Sequence, residues 1–325
     1  MAERPDGGTA GPTGGRTGGR TGSRTGSRTG GVASHIVPVG VVTLCLLVIW
    51  YAAAVGLNLA WERDQRERAG AEVRIGAETG ILSMVSATMS QKRPVLPPPH
   101  QVAAELIDTT FGKKIDSKRS LVYHTGVTLA STLTGFALGT LLGVGLAVLI
   151  VYSRALDASL MPWVIASQTI PIIAIAPMII VVLNAVGVQG LLPKAFISMY
   201  LSFFPVVVGM VKGLRSPERD QLDLMRTWNG TTWQSLVKLR LPASLPYLFT
   251  SMKIAVAIAL VGAIVAELPT GAVAGLGARL LAGSYYGQTV QIWSALVMAS
   301  LVAALLVALV GLIGKRVTRH MGAPA

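Results

Sequence analysis

The sequence predicts an all-α integral membrane protein with about six transmembrane helices, and three observations carry that prediction. Only 13% of the 325 residues are charged while 52% are hydrophobic, and a soluble domain carries about 25% charged residues. The mean hydropathy is +0.59, so most of the surface faces something other than water. The apolar residues also gather into runs of about twenty, the length a helix needs to cross the hydrocarbon core. The net charge of +13 could suggest nucleic acid, but the positives flank apolar runs and do not alternate with aromatics. That is the pattern of membrane topology, so a lipid bilayer is the expected partner and nucleic acid is not. The single cysteine, Cys45, falls inside an apolar run, which excludes an intrachain disulfide and a cysteine metal cluster.

Residues 1–34 repeat Thr-Gly-(Gly/Ser)-Arg, with Arg16, Arg20, Arg24 and Arg28. Such a tract cannot bury a core and is expected to be a disordered basic tail, solvated or held to anionic lipid headgroups. The first apolar run, Ile36–Leu57, is long enough to span. Ala52-Ala53-Ala54 resembles a signal-peptide cleavage site, but the apolar region is too long and the preceding tail too extended for one. Residues 62–93 are charged and Gly/Ala-rich and read as an extramembrane insertion. After Pro97-Pro98-Pro99, Val102, Leu106, Ile107 and Phe111 recur at near-helical spacing, which predicts a short interfacial helix over Gln101–Phe111.

The second span is expected at Thr125–Tyr152, with Gly135, Gly139 and Gly143 on one face where a neighbouring backbone can approach. The third, Pro162–Leu183, contains Pro171 and Pro177, whose missing N–H groups imply kinks and carbonyls turned to protein or to a water-filled path. A fourth span covers Leu192–Gly213 with Pro205, a fifth Leu248–Leu268 and a sixth Val290–Gly314. An even number of spans puts both termini on one side. That side collects Arg154, Lys212, Arg215, Arg219, Arg226, Lys238, Arg240, Lys315, Arg316 and Arg319, while the opposite short connections offer Lys194 and Arg279. The bias makes both termini cytoplasmic in a multi-pass cell-membrane protein.

About thirty residues separate spans four and five, long for such a loop. Along this loop, which contains Asp223–Pro246, Leu222, Met225, Trp228, Trp233, Leu236, Val237 and Leu239 form apolar stripes among charges. Asn229-Gly230 interrupts them with the two residues that best tolerate a left-handed turn, giving helix–turn–helix. Pro242 and Pro246 then reset the chain into span five. The segment could lie on the membrane surface, but two helices about a sharp turn suit a knob fitting another protein's groove.

This segment resembles the cytoplasmic EAA loop of ABC importer permeases: Glu-Ala-Ala, three residues, Gly, nine residues, Ile-x-Leu-Pro. Aligned on Leu241-Pro242, Asp223 falls on the Glu, Leu224-Met225 on the Ala pair, Asn229 on the Gly and Leu239 on the Ile. Asp keeps the carboxylate, Asn with Gly230 keeps the turn, and the bulky Leu-Met pair departs from the pattern. Over residues 94–316, Val95-Leu96-Pro97-Pro98-Pro99, Gln168-Thr169-Ile170-Pro171, Ala176-Pro177, Phe204-Pro205, Val265-Ala266-Glu267 and Gly275-Leu276-Gly277 resemble the nitrate/sulfonate/taurine-type permeases. The resemblance implies a type I ABC importer fold: first helix 35–60, extracytoplasmic insertion and interfacial helix 61–120, permease core 121–316 with coupling loop 215–246, and cytoplasmic tail 317–325. It implies two ATPase subunits carrying ATP and Mg, an extracytoplasmic substrate-binding protein, and a second permease copy or paralogue. The solute it implies is a sulfonate-, taurine- or nitrate-like anion, or a pyrimidine-like heterocycle.

No G-x-x-x-x-G-K-[ST] occurs, since Gly112-Lys113-Lys114 and Gly314-Lys315-Arg316 lack the following hydroxyl residue. The chain is therefore read as a transport subunit and not an enzyme, binding no cofactor itself. His35, His100, His124 and His320 are read as scattered in flanks and loops without metal-like spacing. Gln168, Pro171, Pro177 and Glu267 are the candidate translocation-path residues. Gln168 could equally bond between helices, and Glu267 could sit solvated at the outer end of span five. An ATP-independent carrier or channel would carry internal repeats and mid-membrane ionisable residues, and neither is evident. The membrane component of a vitamin transporter also has coupling helices but lacks the Gly-to-Leu-Pro spacing.

Overall fold

The computed structural model describes residues 33–68, 88–91, 93–269 and 271–321, and every regular element among them is helical. The Thr-Gly-Arg repeats and most of the 62–93 insertion lie outside the described residues. The chain divides into two units, Met1–Leu46 and Leu47–Ala325. The described residues of the first are helical, with the Thr43 hydroxyl donating to the Val39 carbonyl at 2.8 Å.

Helix α1 covers Ala33–Arg68. In the second unit, Asn58 reaches out of it to fix the chain that follows. Its Oδ1 accepts the Val95 N–H at 2.8 Å and its Nδ2 donates to the Leu96 carbonyl at 2.9 Å. Pro98 and Pro99 start α2, Pro99–Phe111, where a missing N–H costs nothing because the first turn has no intrahelical acceptor. This helix tucks Leu106 against Leu121, Leu276 and Ala295.

Helices α3 (Leu121–Tyr152), α6 (Leu191–Leu214) and α9 (Leu241–Glu267) form the centre, and α11 (Thr289–His320) packs on α9 through Leu260, Leu306 and Val310. The contact of α3 with α6 is close because of its glycines. A Cβ on Gly135 would collide with Ser198 and the Ala195 carbonyl, one on Gly139 with Ser202, and one on Gly143 would sit 2.8 Å from Val206. The neighbouring Gly145 meets nothing, so the spacing of four, not glycine content, makes the seam.

Among the described residues, five helices are long and apolar enough to cross a membrane, and a bent pair supplies a sixth span if it is counted as one. That pair, α4 (Arg154–Ala166) and α5 (Ile172–Ala185), turns by 103°. The expected kinked helix over Pro162–Leu183 is thus two helices around a 3₁₀ turn, Ser167–Thr169. Ile170, preceding a proline, is held extended at φ −78, ψ 121. The carbonyls freed there find side-chain donors: Ser167 Oγ to Val164 O at 2.7 Å, Thr169 Oγ1 to Ala166 O at 2.8 Å and Tyr200 Oη to Ser167 O at 2.7 Å. Pro177, by contrast, lies inside an unbroken α5.

Side-chain bonds show which helix ends lie together. At one end Arg215 pairs with Asp157 at 2.8 Å, and Arg240 donates to the Leu214 carbonyl at 2.9 Å. Gly314 of α11 lies against Phe249 at the same end. At the other end, the Gly275 N–H donates to His124 and the Thr289 hydroxyl to the Pro94 carbonyl. Helix α10, Leu276–Tyr285, covers that second end.

Candidate functional site

Between α6 and α9 the chain builds a knob whose residues are mostly exposed. Helix α7, Arg219–Thr227, buries none of its residues. Its N-terminus is capped by Glu218, with Gln221 completing a capping box, so Asp223, in the middle of the helix, is not its cap. Asp223 pairs instead with Arg226 at 2.8 Å, and its carbonyl accepts from Thr227 Oγ1 at 3.0 Å. With both partners mostly exposed, that pair contributes little to stability.

The turn after α7 is the knob's rigid part. The Gly230 N–H donates to Met225 O and the Asn229 N–H to Arg226 O, both at 2.9 Å. This double bond pattern closes a helix C-terminus when the residue between is left-handed. Asn229 has φ 53, and among the described residues it alone combines a side chain with positive φ. A Cβ on Gly230 would lie 2.8 Å from Met225 O, so the Asn-Gly order is dictated by two different requirements. Thr231 then caps α8, Thr232–Ser235, accepting the Gln234 N–H at 3.2 Å.

The expected second helix does not stand alone. A π-turn over Leu236–Arg240 joins α8 directly to α9. Pro242 falls in the first turn of α9 and Pro246 within it, so neither proline resets the chain. Leu239, Leu241 and Pro242 are half-buried in this return, while Met225 is half-buried beneath Gly230. Leu224, Trp228 and Trp233 are 51%, 74% and 70% exposed. The knob is a stiff backbone carrying an uncovered apolar surface.

A cleft of about 630 Å³ lies between α6 and α9. Phe204, Pro205, Val208, Ile254 and Ile258 give it apolar walls, and Gln168, Lys212, Tyr247, Thr250 and Ser251 supply its polar atoms. Of the four candidate path residues, only Gln168 lines it. Pro171 and Pro177 are exposed on the bent pair. Glu267 is at the opposite end, 0% exposed, with its carboxylate accepting Thr128 Oγ1 at 2.8 Å and the Gly277 N–H at 2.7 Å. The solvated reading of Glu267 is therefore corrected. His124 is likewise no loop residue: it is buried in α3, Nδ1 accepting the Gly275 N–H and Nε2 donating to the Lys118 carbonyl. A polar stripe at helical spacing, His124, Thr128, Ser131 and Thr132, was the available signal for it. Nearby, α10 is tied to α2 by Arg279 and Glu105 at 3.9 Å. Burial draws the Arg279 guanidinium below its ordinary pKa, and Glu105 opposes the shift.

Comparison with known proteins places this arrangement among relatives. Residues 139–323 match the family described as the binding-protein-dependent transport system inner membrane component. A probable ABC transporter permease protein of Haemophilus influenzae is 34% identical, the match covering 62% of this chain and 78% of the relative. The formylaminopyrimidine transport permease protein ThiX of Halalkalibacterium halodurans is 33% identical over 61% of this chain and 74% of its own length. The nitrate import permease protein NrtB of Leptolyngbya laminosa is 26% identical over 67% of this chain and 76% of its own. Among solved structures, an inward-facing conformation of the MetNI methionine ABC transporter superposes with a TM-score of 0.53, covering 62% of this chain and 95% of that one. At 21% identity, that likeness speaks to the fold alone.

Proposed function

This chain belongs to the family of binding-protein-dependent transport system inner membrane components, and from that premise we propose how it works as the permease of an ABC importer for small solutes. The knob Asp223–Pro246 faces the cytoplasm and docks into a groove of a separate ATPase subunit, which supplies ATP and Mg. Two permease copies, or this chain and a paralogue, enclose the path, and an extracytoplasmic binding protein delivers the solute at the end carrying α10. Closure of the ATPase pair pushes the knob and rocks the helices between inward- and outward-facing states.

One observation carries this reading: an exposed apolar surface sits on a turn with two hydrogen bonds and a left-handed Asn229, continuous through a π-turn with the central helix α9. A push on such a knob is transmitted to α9 and not absorbed by a loose loop. Both termini then lie in the cytoplasm, as the placement of Arg154, Arg215, Arg240 and Lys315 favours. Solute uptake and ATPase stimulation in vesicles holding the whole transporter test it. Asp223→Lys is expected to insert at wild-type levels and to lose both; undiminished uptake with undiminished ATPase stimulation would sink the docking assignment.

A further inference from the structure

We propose that the α6–α9 cleft is a transit site selective for small ring-bearing organic anions, with Lys212 as the charge that recruits them. The proposal rests on the permease reading and adds to it a substrate class. The cleft holds one cation and no carboxylate among its lining residues. Lys212 pairs with no acid among the described residues, and its Nζ stands 5.9 Å from the centre of the Tyr247 ring. The lining therefore carries positive charge, and a cationic solute finds no carboxylate there to offset the cost of leaving water.

The donors are selective as well. The Thr250 hydroxyl donates to the Pro246 carbonyl at 2.8 Å and the Ser251 hydroxyl to Leu248 at 2.9 Å. These two hydroxyls offer a solute mainly lone pairs. Donors for a solute come from the Lys212 ammonium, the Tyr247 hydroxyl and the Gln168 amide, which the Tyr200-pinned turn holds at the cleft. Phe204, Val208, Ile254 and Ile258 fill the rest of the wall. A small inorganic anion such as nitrate would lose its hydration against these apolar walls and regain only a few donors. A planar ring bearing one carboxylate satisfies both sets of surfaces: its faces meet Phe204, Tyr247 and the aliphatic wall, and its charge meets Lys212.

Cysteine modification in inside-out vesicles tests this in the intact transporter. In a Cys45→Ser background, Thr250→Cys (or Val208→Cys, should the first fail to insert) is exposed to an anionic sulfonatoethyl thiosulfonate and to a cationic trimethylammonium analogue. Relative to their rates with a free thiol, the anionic reagent is expected to react about tenfold faster, the scale of electrostatic focusing in a cleft. Lys212→Met is expected to abolish the preference. Millimolar orotate should slow modification, and nitrate at the same concentration should not. Equal rates for the two reagents, no reaction with either, or protection by nitrate equal to that by orotate would overturn the site. ATP-driven uptake by the Asp223→Lys variant probes the importer reading separately, so the two failures are told apart.

Discussion

The Glu267 carboxylate accepts the Gly277 N–H at 2.7 Å, while a Cβ added at Gly275 would run into that same carboxylate. One acid thus fixes both ends of the Gly275-Leu276-Gly277 turn that starts α10. Thr128 doubles the latch, donating to Glu267 and accepting the Leu276 N–H at 2.8 Å. The turn's backbone donors are accepted by side chains of α3 and α9, so α10 is held as a rigid cover over one end of the bundle.

Removing the acid should loosen that cover. Glu267→Ala orphans the Gly277 N–H and the Thr128 hydroxyl in a buried site, a cost of about 3 kcal/mol. At the usual entropy of a domain of this size, that lowers the melting temperature of the purified protein by ~5–10 °C. Glu267→Gln keeps the shape and one acceptor oxygen and is expected to fall between Ala and wild type. A Gln variant as unstable as Ala would mean that the charge, not the hydrogen-bond geometry, holds α10. Gly275→Ala, at φ 131 and against the carboxylate, should be worse than either in the same melting assay.

The knob's turn makes opposite demands at two adjacent positions. Asn229→Gly keeps a left-handed residue and is expected to leave transport unchanged. Asn229→Val forces a β-branched side chain into that region, costing ~1–2 kcal/mol locally. Gly230→Val brings a side chain against Met225 O and should disrupt the two-bond closure. Both Val variants should insert normally and lose ATPase stimulation, measured with the partner ATPase against membrane abundance. Stimulation at the wild-type level in Gly230→Val would show that docking does not need this turn.

Much of this was legible in the sequence because apolar run length and glycine spacing act locally. Gly135, Gly139 and Gly143 announced a seam, and α3 and α6 close along it. Asn229-Gly230 announced a turn, since few other residues adopt that backbone. What could not be read depended on distant partners. Nothing near Glu267 in sequence reveals that Thr128, 139 residues earlier, would bury it, so an acid at a span's end read as solvated. The break at Ser167–Thr169 was foreshadowed by Pro171, but its 103° turn depends on Tyr200 and on hydroxyls capping the freed carbonyls. Pro242 misled for the converse reason, since a proline in a first helical turn ends nothing, and Pro246 lies inside α9 without ending it.

The glycine seam gives a prediction with an internal control. Gly139→Leu must push α3 away from Ser202 and Met199, and overpacking of this kind costs about 1–3 kcal/mol or more. Gly145→Leu, which faces no neighbour within 4 Å, should be tolerated. Membrane abundance after expression is expected to drop for Gly139→Leu and to stay at the wild-type level for Gly145→Leu. Equal loss from both would mean that glycine serves insertion and not the α3–α6 contact.

The exposed face of the knob is the last quantity to test, and it separates stability from docking. Leu224, Trp228 and Trp233 stand largely outside the bundle, so truncating them removes little folded-state contact. Their cost should instead appear in complex formation, where buried tryptophans dominate binding with losses of about 2 kcal/mol or more each. Trp233→Ala also opens the apolar hollow that it shares with Leu149, Tyr152 and Leu236, so a small loss of stability accompanies it. Trp228→Ala has no such second role. Trp228→Ala and Leu224→Asp are therefore expected to melt within about a degree of wild type while the yield of co-purified ATPase falls at least tenfold. Full co-purification with both variants would move the docking surface off the tip of α7, onto the return through Leu239 and Pro242.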